Sequence, residues 1–122
     1  MKILVCDDAD VMRRIHINIL MEHGINPNDI IQAGNGKEAL EKIEGNTIRL
    51  FLIDWNMPNL NGFELVQKIR TMDQYKTTPI VMVTAEGGRY NVMEAIEAGV
   101  TNYVLKPIKA DILWSKIKPY LE

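Results

Sequence analysis

A doubly wound, three-layer α/β sandwich on a five-stranded parallel sheet is the fold this sequence predicts, and three observations carry the prediction. Five short apolar runs alternate with five segments of helical periodicity, the pattern of repeated strand-helix units. The runs Ile3–Cys6, Leu50–Ile53 and Ile80–Val83 are continuously apolar, as parallel strands must be when helices cover both faces of their sheet. At 122 residues the chain has room for one such unit around one sheet, so residues 1–122 are expected to form a single domain.

The pairs run Ile3–Cys6 then Val11–His23, Ile30–Ile31 then Lys37–Glu44, Leu50–Ile53 then Phe63–Met72, Ile80–Val83 then Tyr90–Ala98, and Tyr103–Leu105 then Ala110–Leu121. Strands two (Asp29–Ala33) and five (Thr101–Leu105) are more polar than the others, which places them at the sheet edges and strands one, three and four inside. The helices are supported by apolar stripes at helical spacing: Leu65, Val66, Ile69 and Met72; Val92, Ala95 and Ile96; Leu113, Ile117 and Leu121. Gly24 and Gly99 close the first and fourth helices, and Asn35-Gly36 and Gly62 open the second and third. No repeat, low-complexity segment or linker interrupts the series.

Fourteen basic against sixteen acidic residues give a net charge of −2, so no overall basic field draws the chain to nucleic acid or to an anionic membrane. No apolar stretch approaches the roughly 20 residues of a membrane span. The N-terminal run is cut off by Asp7-Asp8 below the length of a signal peptide, and a cytoplasmic location is expected. Cys6 is the single cysteine; its place in an apolar run predicts a buried structural thiol.

Right-handed crossovers bring the C-terminal ends of all five strands to one rim, where open α/β sheets place their ligand crevice. Strand one ends in Asp7-Asp8, strand three in Asp54, strand four in Thr84 and strand five in Lys106-Pro107. Three crowded carboxylates repel one another unless a cation sits among them. An oxygen-only donor set without His or Cys suits magnesium better than zinc. Lys106 adds a point charge able to hold a phosphoryl oxygen, and Thr84 a short hydroxyl donor. The combination describes a site for phosphoryl transfer.

A nucleotide-binding loop is excluded at the first strand, whose acid pair repels phosphate, and at Gly34-Asn35-Gly36-Lys37, where Glu38 replaces the required Ser or Thr. A flavin site on the same architecture meets the same acid barrier. A magnesium-dependent phosphatase with an aspartyl nucleophile is a distant alternative; such enzymes carry a second acid two residues after the first, and here that residue is Asn56.

Asp7-Asp8, Asp54-Trp55-Asn56-Met57-Pro58 with Gly62, Thr84-Ala85, and Lys106-Pro107 preceded by Tyr103 together resemble the receiver domains of bacterial two-component response regulators, over essentially the whole chain. Within that family the single-domain chemotaxis regulators are most similar. The resemblance implies the flavodoxin-like sheet order 2-1-3-4-5. It also implies that Asp54 accepts a phosphoryl group from a phosphohistidine on a histidine kinase. Asp8, Asp54 and the Asn56 carbonyl would then bind Mg2+ directly, with Asp7 acting through a water. Thr84 and Tyr103 are implied to form the switch, Thr84 moving to the phosphoryl group and Tyr103 turning inward. A cis Lys106-Pro107 bond aiming the lysine inward belongs to the same pattern, and Asn56 and Glu86 flank the path of the hydrolytic water.

So read, the chain is a phosphoacceptor signalling protein rather than an enzyme, catalysing only its own phosphorylation and slow dephosphorylation. Because it ends just after the fifth helix, its signal is expected to leave through helix four, strand five and helix five. The implied partner is a flagellar-motor switch protein, with a phosphatase as a further candidate and the monomer as the working form. A phosphorelay intermediate, or a receiver belonging to a larger regulator, is the alternative. Cys6 and Ala9 depart from the family pattern beside the acid pair, and Gly87-Gly88 loosens the loop after Thr84. Arg13 and Arg14 are either a kinase-docking surface or a solvated basic turn. His16 and His23 are expected to be structural or surface residues, and Trp114 to finish the core or face a partner.

Overall fold

The computed structural model describes residues 1–122. Five strands, β1 (Lys2–Cys6), β2 (Ile30–Ala33), β3 (Ile48–Ile53), β4 (Ile80–Thr84) and β5 (Asn102–Leu105), alternate with five helices. These are α1 (Asp10–Glu22), α2 (Gly36–Glu44), α3 (Gly62–Arg70), α4 (Arg89–Ala98) and α5 (Ala110–Ile117). Every pairing is parallel and the order is β2-β1-β3-β4-β5, so the two more polar strands lie at the edges as expected.

Strand geometry turns the continuous apolar runs into two cores. Leu4, Cys6, Phe51, Ile53, Ile80 and Met82 face α2, α3 and α4, where they meet Ala39, Ile43, Leu65, Val66, Ile69 and Ala95. Their alternating neighbours Ile3, Val5, Leu50, Leu52, Val81 and Val83 face α1 and α5 and meet Ile19, Leu20, Leu113 and Ile117. With apolar residues at successive positions over Ile3–Cys6, Leu50–Ile53 and Ile80–Val83, a period of two leaves neither face of the inner strands open to water there. Each fully buried Leu or Ile contributes about 1.5–3 kcal/mol.

Element ends differ from the sequence expectation by a few residues, for identifiable reasons. Helix α5 stops at Ile117 rather than Leu121, because Pro119 has no N–H to bond back and the chain tightens into a 3₁₀ turn, Lys118–Tyr120. Helix α3 ends at Arg70, and a 3₁₀ turn at Asp73–Tyr75 folds Tyr75 into the core. There its hydroxyl donates to the Asn46 carbonyl (3.1 Å) and accepts from the Ile48 N–H (3.2 Å), and its ring meets Phe51 edge-on. The Arg70 guanidinium donates to the carbonyls of Gly99, Tyr75 and Thr78 at 2.6–3.0 Å, joining α3 to the loop before β4 and the end of α4. Gly99 is required there: its φ is +115°, and a Cβ would stand 2.8 Å from Arg70 Cγ.

The histidines have separate fates. His23 lies on the surface at the end of α1, stacked on Trp114 with ring centroids 3.9 Å apart, while Trp114 also packs against the α1/α5 core. His16 is buried with neither ring nitrogen hydrogen-bonded. Burial pulls its pKa from 6.5 to about 4; Asp7 opposes the shift and Lys106 adds to it, each less than burial does.

Between those two values the unfolded chain binds a proton that the folded chain does not, so stability falls as pH drops from 6.5 toward 4. Replacing His16→Leu removes an unpaired polar group and should raise stability at pH 7 by about 1–2 kcal/mol. It should also remove about 3 kcal/mol of acid sensitivity across that window. Urea melts of both proteins at pH 7 and pH 4.5 check this; an unchanged difference between the two pH values would count against it.

Candidate functional site

The rim residues are held by ladder hydrogen bonds that run one residue past the strands. Asp7 N–H donates to Ala33 O (3.1 Å), Asp54 N–H to Cys6 O (2.9 Å) and Lys106 N–H to Thr84 O (2.9 Å). Each side chain therefore leaves the sheet edge in a fixed direction. The Lys106-Pro107 bond is cis, as expected, and the lysine points inward.

Its ammonium bridges two carboxylates, 2.8 Å from Asp7 Oδ2 and 3.0 Å from Asp54 Oδ2. Burial alone would lower the lysine's pKa, but the hydrogen bonds and charges of Asp7 and Asp54 outweigh it and hold the group above its ordinary value. Asp7, Asp54 and Thr84 are buried, whereas Asp8 and Asn56 are exposed. Asp7, Asp8, Asp54 and Lys106 thus converge on one place, with Thr84 buried at the end of the neighbouring strand β4.

The loop after β3 is pressed against the site by α3. Asn61 and Glu64 form a reciprocal capping box at the start of α3, and Gly62 N–H donates to Trp55 O at 2.8 Å. A Cβ on Gly62 would lie 1.9 Å from the Asp54 carbonyl oxygen. Glycine is thus the only residue that lets α3 start against the backbone carrying Asp54. The Asn61-x-x-Glu64 spacing is the helix-start signal that the sequence carries here beside Gly62.

The donor set fits a hard divalent cation. Asp7, Asp8 and Asp54 present carboxylate oxygens within 4.8 Å of one another, and no nitrogen or sulfur ligand stands among them. Both oxygens of Asp7 are engaged, Oδ1 by the Ala9 N–H (3.0 Å) and Oδ2 by Lys106. Asp54 Oδ1 has only a long contact with the Asn56 N–H (3.4 Å). The carboxylate of Asp8 is exposed, and the Asn56 carbonyl accepts no backbone N–H. An open cleft of about 480 Å³ lined by Asp8, Asn56, Met57, Pro58 and Asn61 lies beside them.

Thr84 and Tyr103 meet at Glu86. Thr84 Oγ1 accepts from the Glu86 N–H (3.3 Å), and the Tyr103 hydroxyl donates to the Glu86 carbonyl. The Tyr103 ring packs against the core and is therefore turned inward. Burial first, then the Glu86 and Asp54 carboxylates, push its hydroxyl pKa up to about 12. Beyond Tyr103 a groove of about 700 Å³ runs between α4, β5 and α5, lined by Val92, Ile96, Val104, Lys106, Ile112 and Lys116 among others.

Three neighbours complete the account. Arg13 is not a solvated basic residue: it folds back to donate to the Asp7 carbonyl (2.6 Å) and to Gln32 (3.1 Å), and pairs with Asp10. Arg14 remains exposed. Cys6 is the buried thiol expected, its Sγ 3.4 Å from Asn35 O and 3.3 Å from Met57 Sδ. Burial and the neighbouring Asp7 and Glu38 raise its pKa far above the reactive range.

Residues 3–118 match the response regulator receiver domain. Chemotaxis protein CheY1 of Helicobacter pylori is 43% identical over 122 residues, spanning 99% of this chain and 97% of the relative. Chemotaxis protein CheY of Pseudomonas aeruginosa is 38% identical, spanning 100% and 97%. Among solved structures, Vibrio cholerae CheY4 superposes with a TM-score of 0.89 at 31% identity, covering 98% of this chain and 97% of its own. The receiver domain of Francisella response regulator 1452 gives 0.86 at 32%, covering 98% and 94%. An acid cluster, a bridging lysine and a buried threonine on the rim of a 2-1-3-4-5 sheet thus stand in a chain that belongs to the response regulator receiver domain family.

Proposed function

We propose that this response regulator is a phosphorylation-activated switch in which Asp54 is the phosphoacceptor, working in the cytoplasm with a histidine kinase as phosphodonor. The observation that carries the reading is the bridge from Lys106 to Asp54 Oδ2, which sets a cation beside the one carboxylate that follows the central strand β3. In the transfer an Asp54 oxygen attacks phosphorus, the P–N bond to the donor imidazole breaks, and the imidazole leaves with the bond's electron pair. Lys106 is placed to pass from the carboxylate to a phosphoryl oxygen, and the Thr84 hydroxyl to donate to another. Positioning and charge compensation carry such a reaction, with little proton transfer for the protein to perform.

Asp8, Asp54 and the Asn56 carbonyl are the groups that would hold Mg2+ directly. Asp7, with both oxygens engaged, would act through water. The bound ion supplies positive charge that offsets the phosphoryl oxygens. Asn56, which donates to Glu86 at 2.7 Å, offers no acid for rapid hydrolysis, which favours a switch over a phosphatase. Residues 1–122 act as one domain.

The relatives named for chemotaxis favour flagellar-motor control as the output, with a motor switch protein as partner, a phosphatase as a further partner and the monomer as the working form. Tyr103 and the groove between α4 and α5 are where the phosphorylated state would be read.

Incubation with acetyl phosphate and Mg2+ should add one phosphoryl mass to the intact protein, and Asp54→Asn should abolish the gain; equal labelling of both proteins would refute the assignment. In a thermal melt, Mg2+ at tenfold its Kd should stabilise the wild type by about 1.4 kcal/mol. Asp8→Ala should lose that increment while folding normally, and a variant that keeps it would remove Asp8 from the metal site.

A further inference from the structure

The carboxylate of Glu86 is held from two sides. Oε1 accepts from Asn56 Nδ2 at 2.7 Å and Oε2 from Asn91 Nδ2 at 3.2 Å. Asn56 belongs to the loop after β3, two residues beyond Asp54, and Asn91 to the first turn of α4. The chain Asn56, Glu86, Asn91 thus spans the gap between the loops that follow β3 and β4, the two strands ending at Asp54 and Thr84.

A glutamate side chain has three rotatable bonds and on an exposed loop would sample many rotamers. The entry into α4 that follows adds little constraint, since Gly87-Gly88 comes directly after Glu86. The amide of Asn91 is the only side chain on α4 that bonds this carboxylate. It comes from a rigid element and is half-buried.

We propose that Asn91 is a positioning residue for the phosphoryl lifetime: it pins the Glu86 carboxylate so that the Asn56–Glu86 pair stays across the rim and screens Asp54 from water. Hydrolysis of an acyl phosphate on Asp54 requires water to approach in line from the solvent side of that rim, and in this proposal the amide-carboxylate pair, whose two residues stand two positions beyond Asp54 and Thr84, hinders that approach. Released from Asn91, Glu86 swings toward solvent and Asn56 loses its partner. The inference rests on Asp54 being the phosphoacceptor, and goes beyond it by assigning a role to a residue with no contact with the reacting atoms.

The test is the decay of phosphorylated protein after removal of the donor, followed by intact mass. Asn91→Ala should speed decay about three- to tenfold, the kinetic equivalent of one hydrogen bond of ordinary net strength. In a Glu86→Ala background the same substitution should leave the rate unchanged, since Asn91 acts only through Glu86. A general loosening of α4 would instead alter decay in both backgrounds. Decay of Asn91→Ala at or below the wild-type rate, or an equal acceleration with Glu86 absent, overturns the proposal. A protein that takes up no phosphate at all overturns the assignment of Asp54 and is recognised before any decay is measured.

Discussion

Everything on the rim depends on how three carboxylates are kept together. Asp7 and Asp54 are buried and adjacent to Asp8, a placement that like charges resist. Lys106 makes it tenable by bonding to both buried acids at once. Such a cluster is a poor device for stability, because two desolvated carboxylates and one ammonium do not balance. It is a good device for switching. The residual negative charge is complementary to a divalent cation, and a lysine ammonium on its flexible stem can exchange one anionic partner for another.

That cluster is built by the sheet rather than by the loops. The ladder bonds of Asp7, Asp54 and Lys106 extend the parallel register one residue beyond each strand. The strand ends are themselves fixed by two fully apolar cores, one on each face. Arg13 reinforces the arrangement by holding the Asp7 carbonyl, and Gly62 lets α3 press on the backbone of Asp54. Rigid strands therefore carry the charged groups, while the exposed loops after β3 and β4 carry the side chains that can move.

Glu86 connects the two regions. Its backbone binds Thr84 on one side and Tyr103 on the other, and its carboxylate binds Asn56 and Asn91. A change at Asp54 that draws Thr84 toward it disturbs the Glu86 N–H directly, and through the Glu86 carbonyl the hydroxyl of Tyr103. The groove between α4, β5 and α5 is thereby two hydrogen bonds, through one residue, from the rim. Two discrete hydrogen-bonding arrangements, rather than gradual deformation, are what a packed interior permits.

The alternation of apolar runs and helical stripes, the fully apolar inner strands and the polar edge strands determined the fold class without reference to any contact. They do so because the middle of a strand buried on both faces disfavours polar residues, and an edge strand accepts them. The rim residues were legible for a related reason: in a parallel sheet the position after each strand is a place in space as well as in sequence. Helix ends were less legible. Pro119 and the Asn61–Glu64 cap carried usable signals, whereas the 3₁₀ turn that buries Tyr75 carried none. Tertiary structure alone decided that Arg13 turns back onto Asp7, that His16 is buried without a partner, and that Asn91 reaches Glu86. Each of these depends on the rotation of a helix about its own axis and on one side-chain rotamer. Hydrophobic periodicity sets the first only to within a face, and leaves the second undetermined.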